Sequence, residues 1–169
     1  PTCDRPDLLR PCLESLRKTR YRNYEVLVVD NGDRPQTRVL AQTFGCRVLA
    51  EPKATDGEFN FSRLMNRAVA NVSAKFLLFL NDDTTVVEPS WLSQMVGFAR
   101  MRGVGAVGAR LLFPDGRIQH AGVVHGLHHG MAGHAFKMAD GGDDGGYLSY
   151  KLVARNYIAV TAACMLTPR

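Results

Sequence analysis

Continuous apolar segments are the feature of this sequence that most limits how it can fold. They span residues 24–32, 46–50, 76–80 and 156–168, and they are mostly apolar rather than alternating. A strand that is apolar at successive positions is covered on both faces, which is typical of a parallel sheet between two layers of helices. The segments therefore predict an α/β fold with a mainly parallel central sheet.

Amphipathic segments separate these strands. Apolar residues recur at helical spacing in residues 7–19 and 61–72, and residues 34–44 can form a short helix between them. A fourth helix is predicted to start at Pro89 and to end near Gly103. This alternation is typical of a doubly covered α/β sheet, whose ligand crevice lies at the carboxyl ends of the strands.

The strand at residues 76–80 ends directly on polar residues, Asn81, Asp82 and Asp83, and Asp30 ends another strand. A single aspartate in such a place can simply cap its own backbone in an Asx turn. Two adjacent aspartates with a third on a partner strand instead favour Mg²⁺ or Mn²⁺. These ions bind one or two protein carboxylates and take their remaining oxygen ligands from water and phosphates. The pattern indicates a site where a metal stabilises a departing nucleoside diphosphate.

Length and charge limit the domain count and the partners. The 169 residues are 46% hydrophobic, which suits one domain with its own core, and the net charge is +5. The basic residues are dispersed, apart from one cluster in residues 10–22. Anionic sugar nucleotides or lipid headgroups fit this charge as well as a nucleic acid does, and we predict no nucleic-acid partner.

The cysteines and the chain start give further expectations. Cys3, Cys12, Cys46 and Cys164 form no Cys-x-x-Cys pair, which favours the reduced thiols of a cytoplasmic protein over a disulfide framework. No run approaches 18 apolar residues, so no membrane span is predicted. The sequence starts inside a turn signal without a methionine, and we interpret it as a piece of a longer protein.

Histidine and glycine patterns suggest other sites, which we do not favour. Residues 119–146 hold all five histidines with little periodicity, and we predict a long, partly ordered excursion over one face of the sheet. The histidine spacing matches no common zinc pattern. His120 and His134 line the acceptor side in one interpretation and satisfy backbone groups in the other. The glycines of residues 103–108 lack the preceding strand and following helix of a dinucleotide-binding motif.

Seven sequence blocks, in order, carry a resemblance to a known family. They are PTCDRPDLLRPCLESL, VVDNG, FNFSRLMNRAV, FLLFLNDDT, GVGAVGARLLFPDGRIQHAGVV, GHAF and RNYIAVTAACML. Their order resembles glycosyltransferase family 2, and within it the group of O-antigen or rhamnose-containing polysaccharides. The resemblance covers the whole chain and implies one GT-A nucleotide-sugar-binding domain, truncated at both ends. Residues 1–113 would form its nucleotide-sugar-binding half and residues 114–169 the start of its acceptor-side half.

The resemblance implies a metal site. The family's Asp-x-Asp motif corresponds to Asn81-Asp82-Asp83, so an asparagine replaces the first aspartate. Asp83 is then the best ligand for Mg²⁺ or Mn²⁺, with Asp82 as the second, and Asn81 still hydrogen-bonds a ribose hydroxyl. The replacement predicts weaker metal binding than an intact motif gives.

The resemblance also implies a nucleotide site, in which the Pro1-Thr2 turn and Asp30 hold the base and ribose. Arg63 and Asn66, three apart on one helical face, contact the donor's phosphates or ribose in one interpretation and are ordinary surface residues in the other. The full predicted set is Pro1, Thr2, Asp4, Arg5, Asp30, Asn31, Arg63, Asn66, Asn81 and Asp82.

The activity implied by the resemblance is inverting, metal-assisted transfer of a hexose or deoxyhexose. The donor is a nucleoside-diphosphate sugar, with dTDP and UDP as the first candidates, and the acceptor is a cell-surface polysaccharide or lipid-linked glycan. The family's carboxylate base lies in a Gly-Gly-Phe-Asp-Glu-like segment, which we expect beyond Arg169, so residues 1–169 alone should turn over slowly or not at all. The expected location is cytoplasmic, with peripheral association of the full-length protein at the inner face of the membrane.

Two alternatives stay open. A sugar nucleotidyltransferase shares a similar fold but needs a glycine-rich basic phosphate loop, and residues 1–6 contain Arg5 but no glycine. A non-catalytic nucleotide-sugar-binding or scaffold module of a multidomain polysaccharide synthase fits the replaced aspartate and the missing base.

Overall fold

The computed structural model describes residues 1–53, 59–127, 130–142 and 144–169. The helices are α1 (Pro6–Leu16), α2 (Pro35–Thr43), α3 (Phe61–Ala70) and α4 (Trp91–Ala99), with a short 3₁₀ helix at Tyr147–Ser149. The strands are β1 (Leu27–Asp30), β2 (Arg47–Ala50), β3 (Phe76–Leu80), β4 (Val107–Gly108), β5 (Leu111–Leu112), β6 (Ile118–His120), β7 (Val123–Leu127), β8 (Met131–His134) and β9 (Cys164–Pro168).

Strand β1 is covered on both faces, as its continuous apolar sequence predicts. Val28 belongs to a buried cluster with Leu13 of α1 and Leu40 of α2. Val29 instead packs with Leu64 and Met65 of α3. Successive side chains of a strand point to opposite faces, so two adjacent valines contact two different helical layers.

The strand pairing is mixed. β1 and β2 pair in parallel, with Leu27 opposite Arg47, whereas β9 lies between β3 and β4 and is antiparallel to both. The predicted α/β class is confirmed, and its parallel part is smaller than expected. The difference arises because β9 runs against β3 along its whole length, with Phe76 opposite Pro168 and Leu80 opposite Cys164.

Helix α1 ends at Leu16, three residues before the predicted end. Beyond Leu16 the backbone leaves the helix, and Thr19 forms a hydrogen bond with the start of α4. Its hydroxyl accepts a hydrogen bond from the Trp91 indole at 2.9 Å, and the next amide, that of Arg20, donates to the Pro89 carbonyl at 2.9 Å. These bonds join the end of α1 to the start of α4.

Residues 119–146, predicted to form a partly ordered excursion with little periodicity, contain more strand pairing than their sequence pattern indicates. β6 pairs with β5, and β7 pairs with β8 in a hairpin that places Val123 opposite His134. The hairpin register shifts between Val124 and Leu127, and Gly126 there has a left-handed φ of +87°. That irregularity removes the alternation by which a sequence reveals a strand. Two of the five histidines, His128 and His129, lie outside the described residues.

The predicted strand at residues 156–168 forms only in its second half, as β9. Its first half makes single contacts, such as the bond from the Val123 amide to the Ala159 carbonyl at 3.0 Å. Cys3, Cys12, Cys46 and Cys164 form no disulfide in the structure, and Cys12 and Cys164 are buried. Within the described ranges, no helix combines the length and apolar character needed to cross a membrane.

Candidate functional site

The carboxyl end of β1 lies beside the first residues of the chain. The Thr2 amide donates to the Val29 carbonyl at 2.9 Å, and the Asn31 amide donates to the Thr2 carbonyl at 2.9 Å. Thr2 and Asp30 thereby form an isolated parallel bridge. We call this arrangement of Thr2 with Asp30, Asn31 and Gly32 the β1 edge.

Asp30 organises the β1 edge from inside. Its side chain is fully buried, its Oδ2 accepts from Arg38 Nε at 2.6 Å, and its Oδ1 accepts from the Gly32 amide at 3.0 Å. Arg38 also donates to the Gly32 carbonyl at 3.1 Å. A buried carboxylate requires such partners because an unpaired buried charge is costly. Asp30 offers no exposed oxygen in this arrangement, and its contact with a nucleoside stays a prediction.

Asp4 ties the first loop to the start of α2. Its Oδ1 accepts from the Arg34 amide at 2.8 Å and its Oδ2 from the Asp33 amide at 3.3 Å. These bonds, that from Arg34 first, lower the pKa of Asp4. The amides of Asp33 and Arg34 precede the first helical residue, Pro35, so Asp4 holds the turn that leads into α2. Gly32 lies so close to Asp4 that a Cβ atom on it would overlap with the aspartate.

Lys53 brings a cation to the same loop. Its Nζ lies 2.9 Å from Asp33 Oδ2 and 3.7 Å from Asp4 Oδ2, and the bond to Asp33 is the main cause of its raised pKa. Sequence reasoning missed both Lys53 and Arg38. Arg38 had a usable signal, since it lies one turn into the helix that follows the Asp-Asn-Gly turn, whereas Lys53 lies in a polar loop without periodicity.

A small cavity of about 10 Å³, enough for about one water molecule, lies in the cleft beside Asn31. Its walls are formed by Asn31, Glu51, Pro52, Phe59, Asn60, Arg63, Leu64 and Arg67. Asn31 Nδ2 donates to the Glu51 carbonyl at 2.7 Å, and Arg67 Nε donates to Glu51 Oε1 at 2.8 Å. Phe59 is 65% exposed and Arg63 is exposed, so an aromatic face and a guanidinium are both open to a ligand.

Two other predicted nucleotide ligands lie less centrally. Asn66 is exposed on α3 and does not lie on the cleft walls. Arg5 Nη2 lies 2.8 Å from Asp7 Oδ2. Asp7 is the main cause of the raised pKa of Arg5, and the charge of Asp82 adds a smaller contribution. Arg5 therefore lies within electrostatic reach of Asp82, with its charge already paired to Asp7.

Strand β3 delivers Asn81-Asp82-Asp83 to its carboxyl end. The Asn81 amide donates to the Ala163 carbonyl at 3.0 Å, and Thr84 Oγ1 donates to the Asn81 carbonyl at 2.8 Å. The backbone of this turn is thus held on both sides. Asp83 is exposed and Asp82 is partly exposed. Neither carboxylate forms an ion pair with any residue that the structure describes.

The chemistry of this turn fits a hard divalent cation. Asp82 and Asp83 supply carboxylate oxygens that form no ion pair with the described residues, and Mg²⁺ and Mn²⁺ prefer such hard oxygen ligands. Across the described part of the chain, no three Asp, Glu, His or Cys residues converge as a complete protein metal site. An ion held by one or two carboxylates takes its other ligands from water and phosphate. The residues present therefore suit an ion that arrives with a diphosphate.

His120 and His134 contact each other and are connected to this turn through residues 161–163. His120 Nδ1 and His134 Nδ1 are 2.7 Å apart, and the Thr161 amide donates to His120 Nε2 at 3.4 Å. His120 is 1% exposed. Burial first, and then the neighbouring His134, lower the pKa of His120 to about 4. The two histidines singled out from the sequence are thus in direct contact, and His120 does bond a backbone group.

The fold is that of the GT-A glycosyltransferase domains. The family model for glycosyl transferase family 2 matches residues 1–131, and the chain belongs to that family. A mannosyltransferase, PcManGT from Pyrobaculum calidifontis in complex with GDP-Man and Mn²⁺, has a similar fold. Its TM-score is 0.57 at 17% sequence identity, over 68% of this chain and 34% of that one.

Curated relatives match at the sequence level. The whole chain is 44% identical to protein y4gI of Sinorhizobium fredii and 42% identical to the O-antigen biosynthesis protein RfbC of Myxococcus xanthus. A PGL/p-HBAD biosynthesis glycosyltransferase of Mycobacterium tuberculosis is 28% identical over 58% of the chain. The chain spans only 19% of the length of y4gI and 13% of that of RfbC. The predicted resemblance to the O-antigen group of this family is confirmed.

Proposed function

We propose that this chain is the donor-binding part of an inverting, metal-assisted glycosyltransferase. It would serve transfer of a hexose or deoxyhexose from a nucleoside-diphosphate sugar to a cell-surface polysaccharide or lipid-linked glycan. The observation that carries the proposal is the pair of carboxylates, Asp82 and Asp83, that ends β3 without cationic partners among the described residues. Family membership supports the class of reaction.

The nucleoside is proposed to bind at the β1 edge and in the adjoining cleft. Thr2 and the buried Asp30 fix the backbone of the edge, so Asp30 acts on the nucleoside through the turn it holds. Phe59 offers an exposed aromatic face on which a base can stack. Arg63 on the same cleft wall carries a charge that suits ribose or phosphate oxygens.

The diphosphate is proposed to bind at the end of β3. When bound, Mg²⁺ or Mn²⁺ neutralises the charge that develops on the departing nucleoside diphosphate. Asp83 and Asp82 would hold the ion, and Asn81 would hydrogen-bond a ribose hydroxyl. The Mn²⁺ and GDP-Man bound to the mannosyltransferase neighbour support a nucleotide sugar with a divalent ion. They also add GDP to dTDP and UDP as a nucleotide to test.

The acceptor-side half is proposed to begin at residue 114. The carboxylate that takes the proton of the acceptor hydroxyl is proposed to lie beyond Arg169, in the segment that the family resemblance implies. The acceptor, the cytoplasmic location and the peripheral contact with the inner face of the membrane belong to the same proposal.

A titration of the protein that contains this chain tests the proposal. UDP, dTDP and GDP are each titrated with and without Mn²⁺ by calorimetry, and the matching sugar nucleotides are then tested for hydrolysis and transfer. The proposal predicts that at least one nucleotide binds and that Mn²⁺ strengthens its binding. Absence of binding by all three nucleotides would contradict it.

A non-catalytic nucleotide-sugar-binding module is the second candidate, and Asn81 in place of the first motif aspartate favours it. The two candidates differ in turnover rather than in binding. Mn²⁺-dependent hydrolysis or transfer of a bound sugar nucleotide supports the enzyme. Tight binding without any turnover, in the protein that contains the complete family domain, supports the module.

A further inference from the structure

A continuous chain of hydrogen bonds leads from the β7–β8 hairpin to the metal-binding turn. We call it the histidine chain, and its members are His134, His120, Thr161, Ala163 and Asn81. His134 contacts His120 at 2.7 Å, and His120 Nε2 accepts from the Thr161 amide at 3.4 Å. Thr161 Oγ1 accepts from the Ala163 amide at 3.3 Å, and the Ala163 carbonyl accepts from the Asn81 amide at 3.0 Å.

The contacts of His120 determine where its proton lies. A neutral imidazole has one donor nitrogen and one acceptor nitrogen. Because His120 Nε2 accepts from Thr161, His120 Nδ1 carries the hydrogen and donates to His134 Nδ1. His134 then carries its own hydrogen on Nε2. Each ring therefore has one orientation and one tautomer that satisfy the chain.

His120 has the properties of a positioning group rather than of a proton carrier. It is 1% exposed, and burial and the neighbouring His134 lower its pKa to about 4, so the ring is neutral near pH 7. A buried polar ring with both nitrogens hydrogen-bonded makes the groups that it joins more rigid. It bonds directly to the segment that carries Thr161 and Ala163, next to β9.

The histidine chain ends at the backbone of Asn81, the first residue of the proposed metal-binding turn, residues 81–83. The Asn81 amide is bound to Ala163, so a displacement of residues 161–163 is transmitted to Asn81 and to the two aspartates that follow it. The β7–β8 hairpin lies in the proposed acceptor-side half, whereas Asn81 lies in the donor-side half. The histidine chain therefore connects the proposed acceptor-side half to the proposed donor-side half.

We propose that His120 is a positioning residue that sets the Asn81–Asp83 turn for the metal–diphosphate group and couples it to the β7–β8 hairpin. This inference rests on the proposed function, because it assigns a consequence to the geometry of the donor site. It predicts that loss of a hydrogen bond within the histidine chain weakens the metal-dependent part of nucleotide binding. Nucleotide binding without metal depends on the β1 edge and is unchanged.

Two substitutions of His120 separate this role from simple packing. In His120→Gln the side-chain amide reaches the Nε2 position and still accepts from Thr161. In His120→Asn the shorter amide lies near the Nδ1 position, keeps a donor for His134 and loses the Thr161 bond. Ile118→Val is the matched control, since Ile118 is 0% exposed on the same strand and takes no part in the histidine chain.

The measurement is calorimetric titration of UDP, dTDP and GDP with and without Mn²⁺, on the protein that contains this chain, with thermal unfolding recorded for every variant. We expect His120→Asn to raise the Mn²⁺-dependent Kd roughly three- to tenfold, as for the loss of one hydrogen bond. His120→Gln should stay within about twofold of the wild type, and Ile118→Val should lower the unfolding temperature without changing the Kd.

The outcomes distinguish the two proposals. If the wild type binds none of the nucleotides, the proposed function fails. If the wild type binds with Mn²⁺ and His120→Asn binds equally well, the inference fails and the proposed function stands. Equal weakening by His120→Asn, His120→Gln and Ile118→Val would also overturn the inference, because that result reflects general destabilisation.

Discussion

Arg38 donates a 2.6 Å hydrogen bond to the carboxylate of Asp30, which is fully buried at the end of β1. The guanidinium also reaches the Gly32 carbonyl, so one side chain holds both ends of the Asp-Asn-Gly turn. The carboxylate at the end of this strand thus serves the backbone of the turn. In the proposed function, the effect of Asp30 on a nucleoside passes through Asn31 and Gly32.

Arg38→Leu should therefore lower the free energy of unfolding by about 1.5–3 kcal/mol, the cost of removing a hydrogen bond to a charged group. Urea denaturation measures it. Arg10→Leu is the matched control, because the Arg10–Glu14 pair is exposed on α1 at 4.0 Å and contributes less than about 0.5 kcal/mol. Equal effects of the two substitutions would contradict the role assigned to Arg38.

Gly32→Ala should destabilise the protein because its Cβ has no room beside Asp4. We expect a loss of about 1–3 kcal/mol in the free energy of unfolding, as for overpacking at other buried positions. Gly97→Ala provides the control in urea denaturation. It lies within α4 with nothing near its Cβ position, and there alanine should add about 0.5–1 kcal/mol. A harmless Gly32→Ala would show that the loop adjusts freely.

Asn81→Asp should strengthen Mn²⁺ binding because it restores the first carboxylate of the family motif. The backbone N–H of Asn81, rather than its side chain, donates to the Ala163 carbonyl, so the substitution leaves that hydrogen bond in place. We expect Mn²⁺ affinity in the presence of nucleotide to rise roughly three- to tenfold, since affinity follows the number of charged ligands. Electron paramagnetic resonance of free Mn²⁺ measures it. Unchanged or weaker affinity would place the metal away from residue 81.

Stability should depend on His120 between about pH 4 and 6.5. The folded pKa of His120 lies near 4, below the ordinary value of 6.5, so the unfolded chain binds more protons in this window. Stability contributed by the neutral ring is present above pH 6.5 and is lost as the pH falls towards 4, by up to about 3 kcal/mol. Urea denaturation of the wild type and His120→Gln at several pH values isolates this contribution. Parallel pH profiles for the two proteins would contradict it.

Regular elements with strong patterns were predictable. The apolar runs around Val29 and in residues 76–80 identified strands β1 and β3, of which β1 is mostly buried and β3 is partly buried, and the helical spacing in residues 61–72 identified α3, which ends at Ala70. These predictions succeed because a strand that is covered on two faces and a helix that is buried along one stripe each have a recognisable spacing of apolar residues. The β7–β8 hairpin was missed because a register shift and a left-handed Gly126 interrupt its alternation.

The candidate site was only partly predictable. The sequence indicates the carboxylates at Asp82 and Asp83, since they follow a strand directly. It does not reveal that Asp30 is enclosed by Arg38, or that His120 touches His134, because both contacts depend on how distant segments pack. The tertiary structure decides which polar groups form hydrogen bonds within the protein and which stay open to a ligand.

Asp82 and Asp83 are the residues proposed to bind a divalent ion together with a nucleoside diphosphate. The most direct test of this assignment is the Mn²⁺ dependence of nucleotide binding in a variant that carries Asp82→Asn and Asp83→Asn. Asp115→Asn is the control, because Asp115 is an exposed loop carboxylate paired with Arg117. We expect the double variant to lose the Mn²⁺-dependent gain in affinity by roughly tenfold or more, with Asp115→Asn unchanged. A double variant that keeps the full Mn²⁺-dependent gain would contradict this assignment.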